Sequence, residues 1–318
     1  MKSALAGFMK EGAMKLFISG GSGFVGAALT KRLLGDGHEI TILTRSLENV
    51  RPLPEGASYL QGDPTKEGPW QETVAAHDGV INLAGASIFR RWTDSAKQEM
   101  RESRLLTTQN LVEAVAAGKE RETQMLSASA IGYYGFQEDQ ELDEKSPAGR
   151  GFLADLARDW ESAALAAEAS GARVVLTRFG VVLGGGGGAL KKMIPMFKWW
   201  LGSPLGSGEQ WFSWVHLQDL AEIFAFLLKR PDITGPVNCT APSPVRNADM
   251  TKILGEVLKK PAFMPPVPAF VLNAILGDFA STLLKGQKVL PTKLLEHGFR
   301  FRFPELTGAM ENLLAPPS

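Results

Sequence analysis

Residues 16–26 read Leu-Phe-Ile-Ser-Gly-Gly-Ser-Gly-Phe-Val-Gly. The apolar run predicts a buried strand, and the pattern from Gly26 to Leu34 predicts a helix directly after it. Gly20, Gly23 and Gly26 stand at the junction in G-x-x-G-x-x-G spacing. Gly20 permits a tight turn, Gly23 lets a pyrophosphate approach the backbone, and Gly26 lets helix and strand touch. The helix start, with Phe24 and Val25, offers unpaired N–H groups and partial positive charge to a diphosphate. Strand, turn and helix all sit where the mechanism needs them, which predicts a dinucleotide site.

Working outward, strand-like runs fall at 15–19, 39–43, 58–60, 80–83, 124–127 and 173–178. Amphipathic stretches at 26–34, 95–117 and 152–169 lie between them. Short apolar strands alternating with helices predict an α/β fold with a doubly wound parallel sheet, the Rossmann arrangement. The texture changes at the glycine run 184–188, where a helix-like segment leads to Trp199 and Trp200. Prolines then punctuate short helical stretches. The expected organisation is a nucleotide-binding domain over 14–183 and a smaller, mostly helical substrate lobe over 184–318. The chain is expected to revisit the sheet near Val237. Residues 1–13 lack the apolar run of a signal peptide and read as a disordered extension or tag.

The second strand decides the cofactor. An NAD site commonly ends this strand with Asp or Glu, which accepts hydrogen bonds from the ribose hydroxyls. Here Thr44 stands at that place and Arg45 follows. A guanidinium grips a 2′-phosphate with two hydrogen bonds and has little to hold on a bare ribose, so NADP is expected. Asp63 fits either an adenine contact or a solvated turn. Asn82-Leu83-Ala84-Gly85 closes the fourth strand at the carboxyl edge of the sheet, and small residues there let a cofactor lie against backbone.

Lys+Arg and Asp+Glu both number 34, so the net charge is zero and nothing favours a nucleic-acid partner or an acidic membrane. One cysteine, Cys239, excludes an internal disulfide and a cysteine metal cage, which suits a reducing cytoplasm. No His/Asp/Glu spacing suggests a metal. No apolar stretch is long enough for a membrane span.

Gly20 through Gly26, Asn82 through Gly85 and Trp214-Val215-His216-Leu217-Gln218-Asp219-Leu220 together resemble the extended short-chain dehydrogenase/reductase superfamily. More narrowly, the chain is similar to its NADP-binding "epimerase family" branch. The carrying segments are Glu102-Ser103-Arg104, Ser127 through Gly135, Arg178 through Gly184, Gly206 through Trp214, Gly286 through Pro291 and Gly298 through Phe301. The resemblance implies cofactor contacts from the glycine turn, Thr44, Arg45, Leu83, Ala84, Gly85, Glu99, Arg104 and the backbone near Val182.

The same resemblance exposes a gap. The superfamily uses a Ser or Thr with a Tyr-x-x-x-Lys pair, in which the Lys helps the Tyr act as acid and base. Ser129 matches the first member. The helix that should carry the pair has Leu153 and Ala157 at those places. Tyr133 and Tyr134 lie just after Ser129; either supplies a substitute phenol, or both pack under the substrate lobe. Trp199, Trp200, Trp211, Phe212 and Trp214 line an apolar pocket or belong to the core. Gln210 and Ser213 are the polar groups expected to orient a substrate there. His216 is expected to be structural. Two functions follow: an NADP-dependent oxidoreductase or epimerase-like enzyme acting on a sugar-nucleotide-like or small carbonyl substrate, or an NADPH-binding sensor with little turnover. A monomer or a homodimer paired through 95–117 and 152–169 fits equally.

Overall fold

The computed structural model describes residues 12–48, 50–118 and 122–315, so the extension read at 1–13 lies almost wholly outside the described residues. Seven strands form one parallel sheet: β1 (Lys15–Ser19), β2 (Glu39–Thr44), β3 (Ala57–Gln61), β4 (Gly79–Asn82), β5 (Gln124–Ala130), β6 (Arg173–Phe179) and β7 (Gly235–Cys239). Their spatial order is β7-β6-β5-β4-β1-β2-β3, so the chain winds one way from β1 and then the other. The order reverses between β1 and β4, where a crevice opens at the carboxyl ends of the strands.

Both faces of the sheet are covered. Leu16 and Ile18 point to one face, where helix α1 (Phe24–Asp36) and a later helix, Leu217–Leu228, complete an apolar core. Phe17, between them, points to the other, against helices α2 (Asp94–Ala117) and α3 (Phe152–Leu165). This period-2 alternation places β1 between two apolar layers, which is why its sequence reads as a continuous apolar run. Helices α2 and α3 pack on each other, with Trp160 Nε1 donating to Thr108 Oγ1 at 2.9 Å. Among the described residues no helix is long and apolar enough to cross a membrane.

The C-terminal lobe has its own core around Leu190, Phe197, Trp214, Met250, Leu254 and Met310. It is also tied to the sheet domain by buried polar groups. Asp219 accepts hydrogen bonds from the backbone N–H groups of Arg302 and Phe303, both at 2.9 Å. Glu144 accepts from the N–H of Asn238 at 3.0 Å and of Lys293 at 3.2 Å. Burial pushes both carboxyls above their ordinary range, although the backbone donors oppose it. His216 caps the Leu217–Leu228 helix, its Nδ1 accepting from the N–H of Gln218 at 3.0 Å, and its ring stacks 4.0 Å from that of Phe303. The imidazole is structural, as expected.

Burial drives the His216 ring down to about 4. Between the ordinary histidine range and about 4 the unfolded chain binds a proton that the folded chain refuses, so stability contributed by the neutral ring falls as pH falls through that window. His216→Asn keeps a side-chain oxygen at the cap. We expect its urea-unfolding free energy to lose roughly 3 kcal/mol less than the wild type's between pH 6.5 and 4, and equal losses would refute the assignment.

Candidate functional site

The turn after β1 is as tight as its glycines allow. Gly20 has φ +75°, and a Cβ there would stand 2.9 Å from the backbone nitrogen of Ala84. A Cβ on Gly26 would meet the Gly20 carbonyl oxygen at 2.4 Å. Only two bare α-carbons let α1 start this close to β1 and β4. Gly23 donates to the Gly20 carbonyl at 3.0 Å, no side chain caps α1, and no acidic residue stands in its first turn. The amides at Phe24 and Val25 therefore lack an intrahelical partner and face the crevice end of the sheet.

The ring of Phe24 is enclosed by the glycine run. A Cβ on Gly187 would meet the ring at 2.2 Å, and one on Gly184 at 2.5 Å. At Gly184, Gly187 and Gly188 the aromatic ring occupies the space a side chain would need. The adjoining strand Val181–Leu183 pairs in parallel with Trp214–His216, which brings Val182 alongside this contact.

At the end of β2, Thr44 turns its hydroxyl to the Ser46 carbonyl at 2.9 Å, and Arg45 is exposed. A second guanidinium was not foreseen here. Arg51 extends Nη2 to within 3.5 Å of the Ser22 carbonyl in the glycine turn, and its own carbonyl accepts from Tyr59 at 3.2 Å. The sequence carried no signal for it, because the loop 46–56 has no periodicity. Asp63 is a turn residue, accepting from the N–H and hydroxyl of Thr65.

At the end of β4, Leu83, Ala84 and Gly85 pass over the turn, and Arg104 from α2 folds against Gly85. A Cβ on Gly85 would stand 3.0 Å from the Arg104 guanidinium carbon. That guanidinium donates to the carbonyls of Ala86 and Met100 and lies over the Trp160 ring at 5.1 Å. It forms no ion pair among the described residues, and burial lowers it to about 10. Glu99 is ion-paired to Arg90, and its side chain is 58% exposed.

A buried polar chain runs below the carboxyl end of β5. Ser129 is 2% exposed and donates to Glu161 at 2.6 Å. Arg178 grips both oxygens of Glu161 at 2.7 Å and donates to the Tyr134 hydroxyl at 2.8 Å. Tyr134, fully buried, donates in turn to Asn238 at 2.7 Å. Burial pushes its phenol up to about 12 against the pull of Arg178 and Asn238. Burial alone would lower Arg178, but Glu161 and Tyr134 hold it above its ordinary range. Tyr133 lays its ring over the same guanidinium, 3.5 Å from centroid to carbon.

Comparisons with known proteins agree with this architecture. The family model described as NAD dependent epimerase/dehydratase matches residues 16–239, and a domain of unknown function matches residues 267–313. The chain belongs to the NAD-dependent epimerase/dehydratase family. It is 40% identical to the chloroplastic SDR39U1 homolog of Arabidopsis thaliana, over 98% of this chain and 89% of that one. It is 39% identical to the epimerase family protein SDR39U1 of Bos taurus, over 95% of this chain and 100% of the relative. The crystal structure of human SDR39U1 isoform 2 with NADPH superposes with TM-score 0.81 at 36% identity, covering 94% of this chain and 99% of that one. A UDP-galactose 4-epimerase at 20% identity and TM-score 0.72 shares the fold.

The structure decides between several of the alternatives left open by the sequence. Ser129, expected as a catalytic hydroxyl, is buried with its side chain donating to Glu161, and the residue exposed at this edge is the next in the strand, Ala130. Tyr134 is a core residue whose hydroxyl is consumed by Arg178 and Asn238. The tryptophans do not form one pocket, since Trp214 is fully buried and Trp199 is 77% exposed. Gln210 and Ser213 likewise hold backbone groups of Leu205, Leu283, Gln287 and Val289.

The cleft that does open at this edge has a volume of about 490 Å³. Its walls include Trp92, Gly132, Phe136, Arg150, Phe152 and Leu153. Leu153, in the first turn of α3 and at the place where the resemblance implies a tyrosine, lies against Gly132. Ala157, one turn on, is buried. The signal for this cleft was the start of α3 itself, because the missing Tyr-x-x-x-Lys helix marked the place.

Removing one partner from a buried ion pair leaves the other uncompensated. Arg178→Met should therefore cost about 3–5 kcal/mol in urea unfolding. Tyr134→Phe should cost about 1–3 kcal/mol for the groups it leaves unpaired, with dinucleotide affinity unchanged. A Tyr134→Phe protein of wild-type stability would show that the network is not what holds this edge.

Proposed function

We propose that this protein is an NADPH-binding oxidoreductase-like member of its family that works without a tyrosine–lysine proton relay. The carrying observation is the pairing of an intact dinucleotide turn with Leu153 and Ala157 at the relay positions. The amides of Phe24 and Val25, beside Gly20 and Gly23, hold the diphosphate. Leu83, Ala84 and Gly85 lie against the cofactor. Arg104, an unneutralised cation beside Gly85, faces its ribose or phosphate, and the backbone near Val182 closes the far side. Glu99 acts by fixing Arg90 and so the loop after Gly85. When bound, the dihydronicotinamide supplies a hydride.

The choice of NADPH over NADH rests on charge at the end of β2. No acid stands there to accept from a bare ribose, while Arg45 follows the strand exposed and Arg51 reaches Ser22 of the turn. The NADPH in the human SDR39U1 crystal supports the same preference. Thr44, whose hydroxyl holds Ser46, shapes the loop that carries both arginines. Of the two tyrosines only Tyr133 retains a candidate role near substrate, with its ring fixed by Arg178. A second reading, a binding protein that senses NADPH without turnover, is favoured by the same missing relay.

Arg45→Ala and Arg51→Ala should each weaken NADPH binding roughly tenfold or more, the ~1.5–3 kcal/mol of a charged hydrogen bond, and leave NADH nearly unchanged. Calorimetric titration of both dinucleotides checks this. Equal losses for the two cofactors would overturn the assignment to the 2′-phosphate, and no binding of either would overturn the functional reading.

A further inference from the structure

The 490 Å³ cleft beside Gly132 and Leu153 has a lining whose chemistry limits what it could hold. Trp92 and Phe152 meet edge to face at 5.3 Å, and Trp92 also contacts Phe279 at 5.8 Å. Leu153 and Phe136 complete an apolar wall. Lys97 reaches the cleft but is paired to Asp278 at 2.5 Å. Gln287 spends its amide on the Ile131 carbonyl at 2.9 Å. Arg150 is exposed at the rim and forms no ion pair among the described residues. The cleft thus offers flat apolar surface and one unneutralised cation; of its other polar groups, Lys97 and Asp278 pair with each other, Ser281 and Gln287 donate to backbone carbonyls, and Asn273 stands beside them.

This combination is wrong for a sugar or an aliphatic ketone. A ketone that accepts a hydride becomes an alkoxide, whose conjugate acid is about as weak as water, near 15.7, so a proton donor must stand beside it. Ala130, Leu153 and Ala157 supply none. A sugar's hydroxyls would lose their water against Trp92, Phe136 and Leu153 and meet polar groups most of which already hold one another or backbone. A conjugated quinone-type ring differs on both counts. Its reduced form is a delocalised phenolate-like anion whose conjugate acid titrates near about 10, like tyrosine, so it leaves unprotonated and takes its proton from water. Its planar body suits aromatic and leucine walls.

We infer that the cleft binds a planar, conjugated hydride acceptor of the quinone class, carrying or developing negative charge towards Arg150. The inference rests on the NADPH-binding reading above. In balance, the C–H bond of NADPH breaks to leave NADP+, its hydride (two electrons and one proton) forms an O–H bond at one quinone oxygen, the conjugated ring becomes aromatic with the opposite oxygen as the oxyanion, and that oxyanion takes one proton from water, which leaves as hydroxide.

The test titrates 1,4-naphthoquinone-2-sulfonate and UDP-glucose calorimetrically into the full chain with and without NADPH. The expected result is binding of the quinone and none of UDP-glucose. Leu153→Trp, which fills the cleft, should abolish quinone binding while NADPH binding persists. Arg150→Ala, a change at an exposed residue, should weaken the sulfonated quinone about tenfold and unsubstituted naphthoquinone little. NADPH absorbance then follows turnover with the quinone. Tighter binding of UDP-glucose, unchanged quinone affinity in both variants, or no quinone binding to NADPH-loaded protein would each overturn the inference while leaving the cofactor reading intact. Loss of NADPH binding itself would instead overturn that reading and this one with it.

Discussion

The contact between Gly26 and the Gly20 carbonyl sets everything else at this end of the molecule. With a Cβ 2.4 Å from that oxygen excluded, α1 can begin directly on the end of β1. That brings unpaired amides to the reversal in strand order, where a diphosphate gains both hydrogen bonds and the favourable end of the helix dipole. Arg51 reaches Ser22 only because the turn is this compact, and the Phe24 ring meets the glycine run only because α1 starts here. A single close approach of backbone to backbone therefore organises the nucleotide end of the crevice and its link to the C-terminal lobe.

The other end of the crevice is organised by a buried ion pair. Glu161 and Arg178 come from α3 and β6, and they recruit Ser129 from β5 and Tyr134 from the segment after it. A buried pair of this kind contributes little net stability, yet breaking it is costly, so it fixes the geometry of three elements. Polar residues that resemble catalytic groups are spent on holding the floor of the cleft. The surface they support is apolar.

Much of this was legible in the sequence. Strands of alternating burial read as apolar runs because helices cover both faces, and the strands 15–19 and 173–178 were placed to within a residue. The glycine turn was legible because its chemistry is local. What could not be read was direction. Ser129 and Ala130 are neighbours, and only the pleat of β5 decides which of them faces the crevice. Trp214 and Trp199 look alike in a list of aromatics, but one is sealed in a core and the other is open to solvent. Arg51 was hidden because its partner, Ser22, lies 29 residues away.

The interlocking of the tail has a consequence for how the gene could be shortened. Leu294 and Phe299 belong to the apolar core that covers the main sheet, while Asp219 and Glu144 hold backbone of the segment from Lys293 to Phe303. A fragment ending after the last sheet strand would leave Asp219 buried without either backbone donor, deprive Glu144 of the Lys293 N–H, and open a hole in the core. The tail thus completes the core over the main sheet and satisfies buried carboxyls there.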